Sequence, residues 1–223
     1  MGGGGTLHDR ALACRGRDIG RGVPGDAGGA RAVKGIVDRF HRYADDYDRW
    51  FDDHPEAYRQ ELALVAAGTG TFRRGVEIGV GTGRFAAPLG LCCGIEPAAG
   101  MARLARERGI AVILGSAESL PLCDGAFDLA LMVTVICYLP NPAQALAEAH
   151  RILAPGGRLV LAFIERDGAI AKKYLCDGEK SRFLSHARFF SRGEVEALIA
   201  GAGLSSTRFT NAANGFAVTV CTR

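Results

Sequence analysis

Val76-Glu77-Ile78-Gly79-Val80-Gly81-Thr82-Gly83-Arg84-Phe85 is the stretch on which the reading of this chain turns. A short apolar run enters three glycines spaced by two, and Arg84–Leu89 beyond them is predicted to be helical. Glycines at such a turn let the backbone bend sharply and let a ligand approach without meeting a Cβ. The start of a helix adds free N–H groups and a partial positive charge. Counted from Gly81, the run G-x-G-R-F-A also meets the dinucleotide-binding fingerprint with alanine in its last place. On this stretch alone a nicotinamide dinucleotide stays open beside other adenosine-bearing cofactors.

Downstream, Gly94-Ile95-Glu96-Pro97 ends the next apolar run. An acidic side chain there, about 17 residues after Gly79, is placed to accept hydrogen bonds from ribose hydroxyls. Apolar runs at Val76–Ile78, Leu91–Ile95, Ala111–Leu114, Phe127–Ile136 and Leu159–Ile164 read as strands. Arg84–Leu89, Ala98–Arg108 and Pro142–Leu153 read as the helices between them, the last with Asn141 as N-cap. This alternation predicts a parallel sheet with helices on both faces. Ser191-Arg192-Gly193-Glu194 has the form of a capping box, and Gly201 and Gly203 close the helix it opens. Leu204–Thr210 and Phe216–Cys221 then read as two strands joined by a short loop, which only antiparallel strands permit. The sheet should therefore carry one reversed strand near an edge.

Upstream, Ile36, Phe40, Tyr43, Tyr47, Trp50 and Phe51 recur at helical steps and mark one apolar stripe. His54-Pro55 breaks it, and Tyr58, Leu62 and Val65 continue a second helix to Gly68. Residues 1–35, rich in Gly and Arg, have too few apolar groups to offset their ordering entropy and read as a disordered extension. Residues 36–223 read as the folded domain, with 36–68 as cover helices.

Six of the 27 Lys/Arg and three of the 24 Asp/Glu fall in residues 1–35, so the body of the chain is balanced in charge. That argues against a nucleic-acid partner, which calls for a basic stripe on the folded part. No apolar run nears the roughly 20 residues that cross a bilayer, so no membrane association is expected. Seven cysteines without a C-x-x-C pair read as buried free thiols and predict a cytoplasmic protein with no metal site.

Three more segments narrow the choice of cofactor. They are Gly115-Ser116-Ala117-Glu118-Ser119-Leu120-Pro121-Leu122, Phe127-Asp128-Leu129-Ala130-Leu131 and Arg151-Ile152-Leu153-Ala154-Pro155-Gly156-Gly157-Arg158-Leu159. In order with the glycine turn and Glu96, they resemble the class I S-adenosylmethionine (SAM)-dependent methyltransferases. The resemblance is closest to the methyltransferase type 11 group, which includes quinone-biosynthesis-like enzymes, and covers roughly residues 40–164. It implies a Rossmann-like, doubly wound, mostly parallel seven-stranded sheet with one antiparallel strand near the edge.

The resemblance also implies roles for particular residues. Glu77 would anchor the methionine end of SAM over Gly79, Gly81 and Gly83. Glu96 would hold the ribose, with Pro97 beside the adenine and Ser116, Ala117 and Glu118 along its edge. Family members often carry Asp where this chain has Ser116. Thr134 would lie near the sulfonium, and Cys137 and Tyr138 would line the acceptor pocket. No catalytic residue is implied. The function implied is methyl transfer from SAM to a small-molecule acceptor. The alternatives are a non-catalytic SAM-binding protein and an NAD-dependent oxidoreductase. The Pro155-Gly156-Gly157 turn disfavours the oxidoreductase.

Overall fold

The computed structural model describes residues 27–176 and 182–223. Three helices lead: α1 (Ala27–Arg42), α2 (Ala44–Asp53) and α3 (Pro55–Thr69). The alternating part follows as β1 (Gly75–Ile78), β2 (Cys93–Glu96), α4 (Ala99–Glu107), β3 (Ala111–Leu114), β4 (Phe127–Val133), α5 (Pro142–Ile152), β5 (Leu153–Ile164) and α6 (Ala169–Cys176). The chain closes with α7 (Arg192–Gly201), β6 (Ser205–Asn211) and β7 (Phe216–Thr222). The seven strands lie in the order β3-β2-β1-β4-β5-β7-β6. Only β7 is reversed, pairing antiparallel with β5 and β6.

Alternation along the strands decides which groups meet which helices. Ala130 and Met132 of β4 pack with Leu146, Ala149 and Ile152 of α5 and Val195 and Ile199 of α7. Leu129, Leu131 and Val133 face the other way, toward Val65 of α3, Phe51 of α2 and Phe85. In β1, Val76 and Ile78 join the first set. The intervening Glu77 therefore points to the side where α2 and α3 lie, which is the reason a carboxylate sits under the cover helices.

The motifs beyond the glycine turn hold loops in place. Asp128 accepts from the amides of Arg73 (3.0 Å) and Arg74 (2.9 Å), fixing the entry to β1. Glu148 accepts from Leu120 N–H at 2.8 Å, and Arg151 donates to the carbonyls of Leu120 and Leu122, pinning the loop after β3. Asn141 accepts from Gln144 N–H at the start of α5, and Ser191 and Glu194 form the reciprocal capping box of α7.

Several expectations are corrected. α1 begins at Ala27 rather than Ile36, so only residues 1–26 of the expected extension lie outside the described residues. Residues 84–89 form turns and no regular helix. Pro88 has no N–H to give the Arg84 carbonyl, and the Tyr58 hydroxyl donates to that carbonyl instead. β4 ends at Val133 because Thr134 takes a φ of 52°, and a 3-10 turn follows at Ile136–Tyr138. α3 runs past Gly68, whose bare face rests on Val160 and Val220, and stops at Gly70 with φ 55°. Cys92, Cys93, Cys137 and Cys221 are free thiols, but Cys123 is disulfide-bonded, contrary to the uniform free-thiol reading. Among the described residues no helix is long and apolar enough to cross a membrane.

Candidate active site

The glycine turn is held from below. Gly79 N–H and Val80 N–H both donate to the Ile95 carbonyl, at 2.8 and 2.9 Å, which stitches the end of β1 to β2. Gly79, Gly81 and Gly83 have φ values of 71°, 55° and 84°, a region where a Cβ is strained. Their surroundings differ. A Cβ on Gly79 would stand 2.4 Å from Val135 Cγ2, and one on Gly83 would meet the Ala105 backbone at 3.3 Å. A Cβ on Gly81 would meet only Met101 Cε, in ordinary contact at 3.7 Å, so Gly81 is the least crowded of the three. Gly79 and Gly81, with Glu77, Tyr47, Phe51 and Arg84, line one small cavity; Gly83 lies behind it against α4.

Two buried carboxylates flank the turn. Glu77 Oε2 has no hydrogen-bond partner among the described residues, and burial drives its carboxyl well above the usual range against one bond from the Ala86 amide. An orphaned buried carboxylate oxygen costs free energy unless something fills the gap. Glu96 accepts from Gly81 N–H at 3.0 Å and Ala98 N–H at 2.9 Å, and burial still pushes it up to about 7. A carboxylate offers about four lone-pair sites, so Glu96 keeps capacity for hydroxyl donors.

The cover helices are latched to this turn by side chains that sequence reasoning missed. Arg84 donates to Asp48 Oδ1 (2.9 Å) and Oδ2 (2.8 Å) and to Asp52 Oδ1 (2.8 Å) and Oδ2 (2.7 Å). Arg108 joins at Asp48 Oδ2, 2.7 Å away, while also donating to the Thr82 carbonyl. Burial alone would raise Asp48, but the two guanidinium groups outweigh it and hold its carboxyl at about 2. The signal lay in Asp48 and Asp52, one turn apart on α2, and in an arginine directly after the third glycine. His41 completes the seam: its Nδ1 accepts from Gly100 N–H at 2.9 Å, at the start of α4. His150 packs instead beside Gly203, away from this site.

Thr134, at the end of β4, is the one non-glycine residue of positive φ among the described residues. For a β-branched side chain that backbone is an outlier, and such strain gathers at functional positions. Cys137 donates its thiol to the Thr134 carbonyl at 3.0 Å. Tyr138 meets Phe40 edge-on at 5.1 Å between centroids, and Phe40 stacks on Phe183 at 5.3 Å. Tyr47 meets Phe183 edge-on at 5.3 Å, closing a group of four rings over this end of the sheet. The loop after β3 adjoins Glu96, since Gly115 N–H donates to the Glu96 carbonyl at 3.4 Å. In it Ala117 is buried, Ser116 is exposed, and Glu118 keeps one buried, unpartnered oxygen; Pro97 is exposed.

The strand order and the glycine turn over β1 define an adenosine-cofactor enzyme of the doubly wound α/β class. The comparisons with known proteins are more specific. A family model described as a methyltransferase domain matches residues 76–161. A protein of Methanocaldococcus jannaschii, itself uncharacterised, is 37% identical over 171 residues, covering 77% of this chain and 83% of its own length. The malonyl-[acyl-carrier protein] O-methyltransferase of Geobacter sulfurreducens is 34% identical, covering 77% of this chain and 70% of its own. Among solved structures, a SAM-dependent methyltransferase of Thermotoga maritima, designated a possible histamine N-methyltransferase, superposes with a TM-score of 0.78. It is 40% identical, and the match covers 84% of this chain and 99% of that one.

The chain belongs to the SAM-dependent methyltransferases. It is a methyl-transferring enzyme with SAM as cofactor, which resolves the choice left open by the Gly81–Ala86 spacing.

Proposed function

We propose that this enzyme transfers the methyl group of SAM to a small-molecule acceptor. One observation supports the small acceptor above others. The end of the sheet beyond Thr134 is covered by the rings of Phe40, Tyr47, Tyr138 and Phe183, which pack on one another rather than leaving a broad open face. A folded macromolecular substrate needs an open face, and a nucleic acid needs a basic one.

The residues around the turn fit SAM. Glu77, whose Oε2 lacks a partner, would accept from the ammonium of the methionine end, a charge-assisted bond that removes the orphan. Glu96 would accept from the ribose hydroxyls while its two backbone bonds keep its carboxylate aimed. Gly81, the least crowded glycine of the turn, would let the backbone and ligand come close. Along the adenine, Ala117 N–H and the free Glu118 oxygen would supply polar contacts, with Pro97 and Ser116 at the solvent edge. When bound, SAM supplies a methyl already activated on a cationic sulfur. The chain's part is to align the acceptor and keep water out, and the latched cover helices serve both ends.

The test is transfer of label from methyl-labelled SAM into a dialysable metabolite extract, beside total protein and total nucleic acid. Label in the dialysable fraction is the expected result. Label confined to protein or nucleic acid would refute the reading.

A further inference from the structure

β4 ends on a strained residue. Thr134 takes a φ of 52°, and a β-branched side chain keeps such a backbone only where its surroundings over-determine it. Its N–H donates to the Ala162 carbonyl of β5 at 2.8 Å. Its hydroxyl donates to the Val133 carbonyl, also at 2.8 Å. Its own carbonyl accepts from the Cys137 thiol at 3.0 Å. The first bond extends the ladder to β5, and the second turns back on the neighbouring residue. The third closes the turn itself, because it ties Thr134 to the 3-10 segment that follows it.

What this turn carries reaches both halves of the site. Val135 is thrown against the glycine turn, its Cγ2 only 2.4 Å from the place a Cβ on Gly79 would take. Tyr138 reaches Phe40 edge-on at 5.1 Å, within the rings that cover this end of the sheet. The Cys137 carbonyl accepts from Arg188 N–H at 2.8 Å, which ties in the chain ahead of α7. Cys137 thus joins the end of β4, the ring group and that incoming chain. Burial pushes its thiol up to about 12, so it keeps its proton, and its role as donor, at neutral pH. A thiol is a weak donor, but losing one hold on a strained backbone lets it relax toward the ordinary region.

We propose that Cys137 is a positioning residue for methyl transfer: its thiol, bonded to the Thr134 carbonyl, locks the strained end of β4 and so fixes Val135 on the glycine turn and Tyr138 among the covering rings. This rests on the reading above in which Glu77 and Glu96 hold SAM over that turn. Transfer in line with the sulfur–methyl bond tolerates little misalignment. A small relaxation at Thr134 therefore reaches the reaction through Val135 and Tyr138 while leaving the groups that hold SAM in place. The glycine turn keeps its own bonds to the Ile95 carbonyl, so SAM affinity does not depend on the thiol.

The experiment compares Cys137→Ala, which removes the donor, with Cys137→Ser, which keeps one. Label transfer is measured at saturating labelled SAM, with whichever fraction of the extract accepts label, so the acceptor's class does not matter. Cys137→Ala should slow transfer roughly ten- to a hundredfold, and Cys137→Ser should restore most of the rate. SAM affinity, read by calorimetry, should stay unchanged in both. A residue that only fills space would give the opposite order, since a buried hydroxyl packs no better than a methyl group. Equal rates in the two variants, or a matching loss of SAM affinity, overturn the proposal. A second measurement needs only wild type and Cys137→Ser: the infrared S–H band lost in the variant should lie at the lowered frequency of a bonded thiol. A free-thiol frequency overturns the lock even if Cys137→Ala does not fold. Failure of the underlying cofactor placement would show separately, as wild-type SAM affinity in Glu77→Gln, and would take this proposal with it.

Discussion

Glu77→Gln tests the cofactor site most directly, because it removes charge and little else. In the ligand-free protein burial drives the Glu77 carboxyl upward and so favours its neutral form, with which the amide is close to isosteric. Stability should be unchanged or slightly higher in the variant. Binding differs, since holding the SAM ammonium requires the ionised acid. A hydrogen bond to a charged group contributes about 1.5–3 kcal/mol, and each 1.4 kcal/mol is tenfold, so affinity should fall roughly ten- to a hundredfold. Since burial raises the carboxyl and a bound ammonium would lower it, SAM binding should favour loss of a proton from Glu77. Calorimetry in buffers of different ionisation enthalpy should show proton release that shrinks in Glu77→Gln. Proton release from Glu96, with its carboxyl at about 7, should remain. A folded variant with wild-type affinity and wild-type proton release would refute the assignment.

The glycines should separate by experiment. Gly79→Ala forces a Cβ to 2.4 Å from Val135 and should lower the melting temperature of the ligand-free protein. Gly81→Val sets a β-branched side chain at a φ of 55°, so it should lower the melting temperature as well, and it should abolish SAM binding in the folded variant, which isothermal titration reads directly. Arg84→Met removes five hydrogen bonds between the turn and α2, so hydrogen exchange across Ala44–Asp53 should quicken while that of β4 does not change. Glu61 and Glu96, raised from 4.5 to about 7 in the folded state, contribute stability that is complete below pH 4.5 and lost as pH rises to 7. The urea midpoint of the ligand-free enzyme should therefore fall between pH 5 and 7.5, and Glu61→Gln should flatten that slope.

What was legible in the sequence is what short-range chemistry writes there. The strand entering Gly79, the Asn141 cap and the Ser191–Glu194 box each depend on neighbours within a few residues, and each lies where the sequence puts it. The reversed β7 followed from one short loop. The regular helix over residues 84–89 did not form, because Pro88 denies the Arg84 carbonyl a partner and the donor comes from Tyr58, 26 residues away. The Asp48–Arg84–Arg108 latch spans 36 and 60 residues, and nothing local marks those acids as paired. The glycine turn and Glu96 were legible as a site, but the way Glu96 is aimed depends on two amides that only the fold brings to it.

The place of β7 has a consequence for how the chain can go wrong. β6 and β7 are joined by residues 212–215 and form a local hairpin, yet β7 must seat against β5, formed some fifty residues earlier. Until it does, β5 offers a bare edge in which Leu159 through Ile164 are all destined for burial. Such a long apolar edge is a template for pairing with another chain. Proteolytic loss of the hairpin would thus turn this enzyme into an aggregating species, where removal of α1, which contributes no strand, would leave the sheet edges guarded. Variants that weaken the β5–β7 seam, such as Val218→Asp, should reveal themselves first as inclusion bodies during expression.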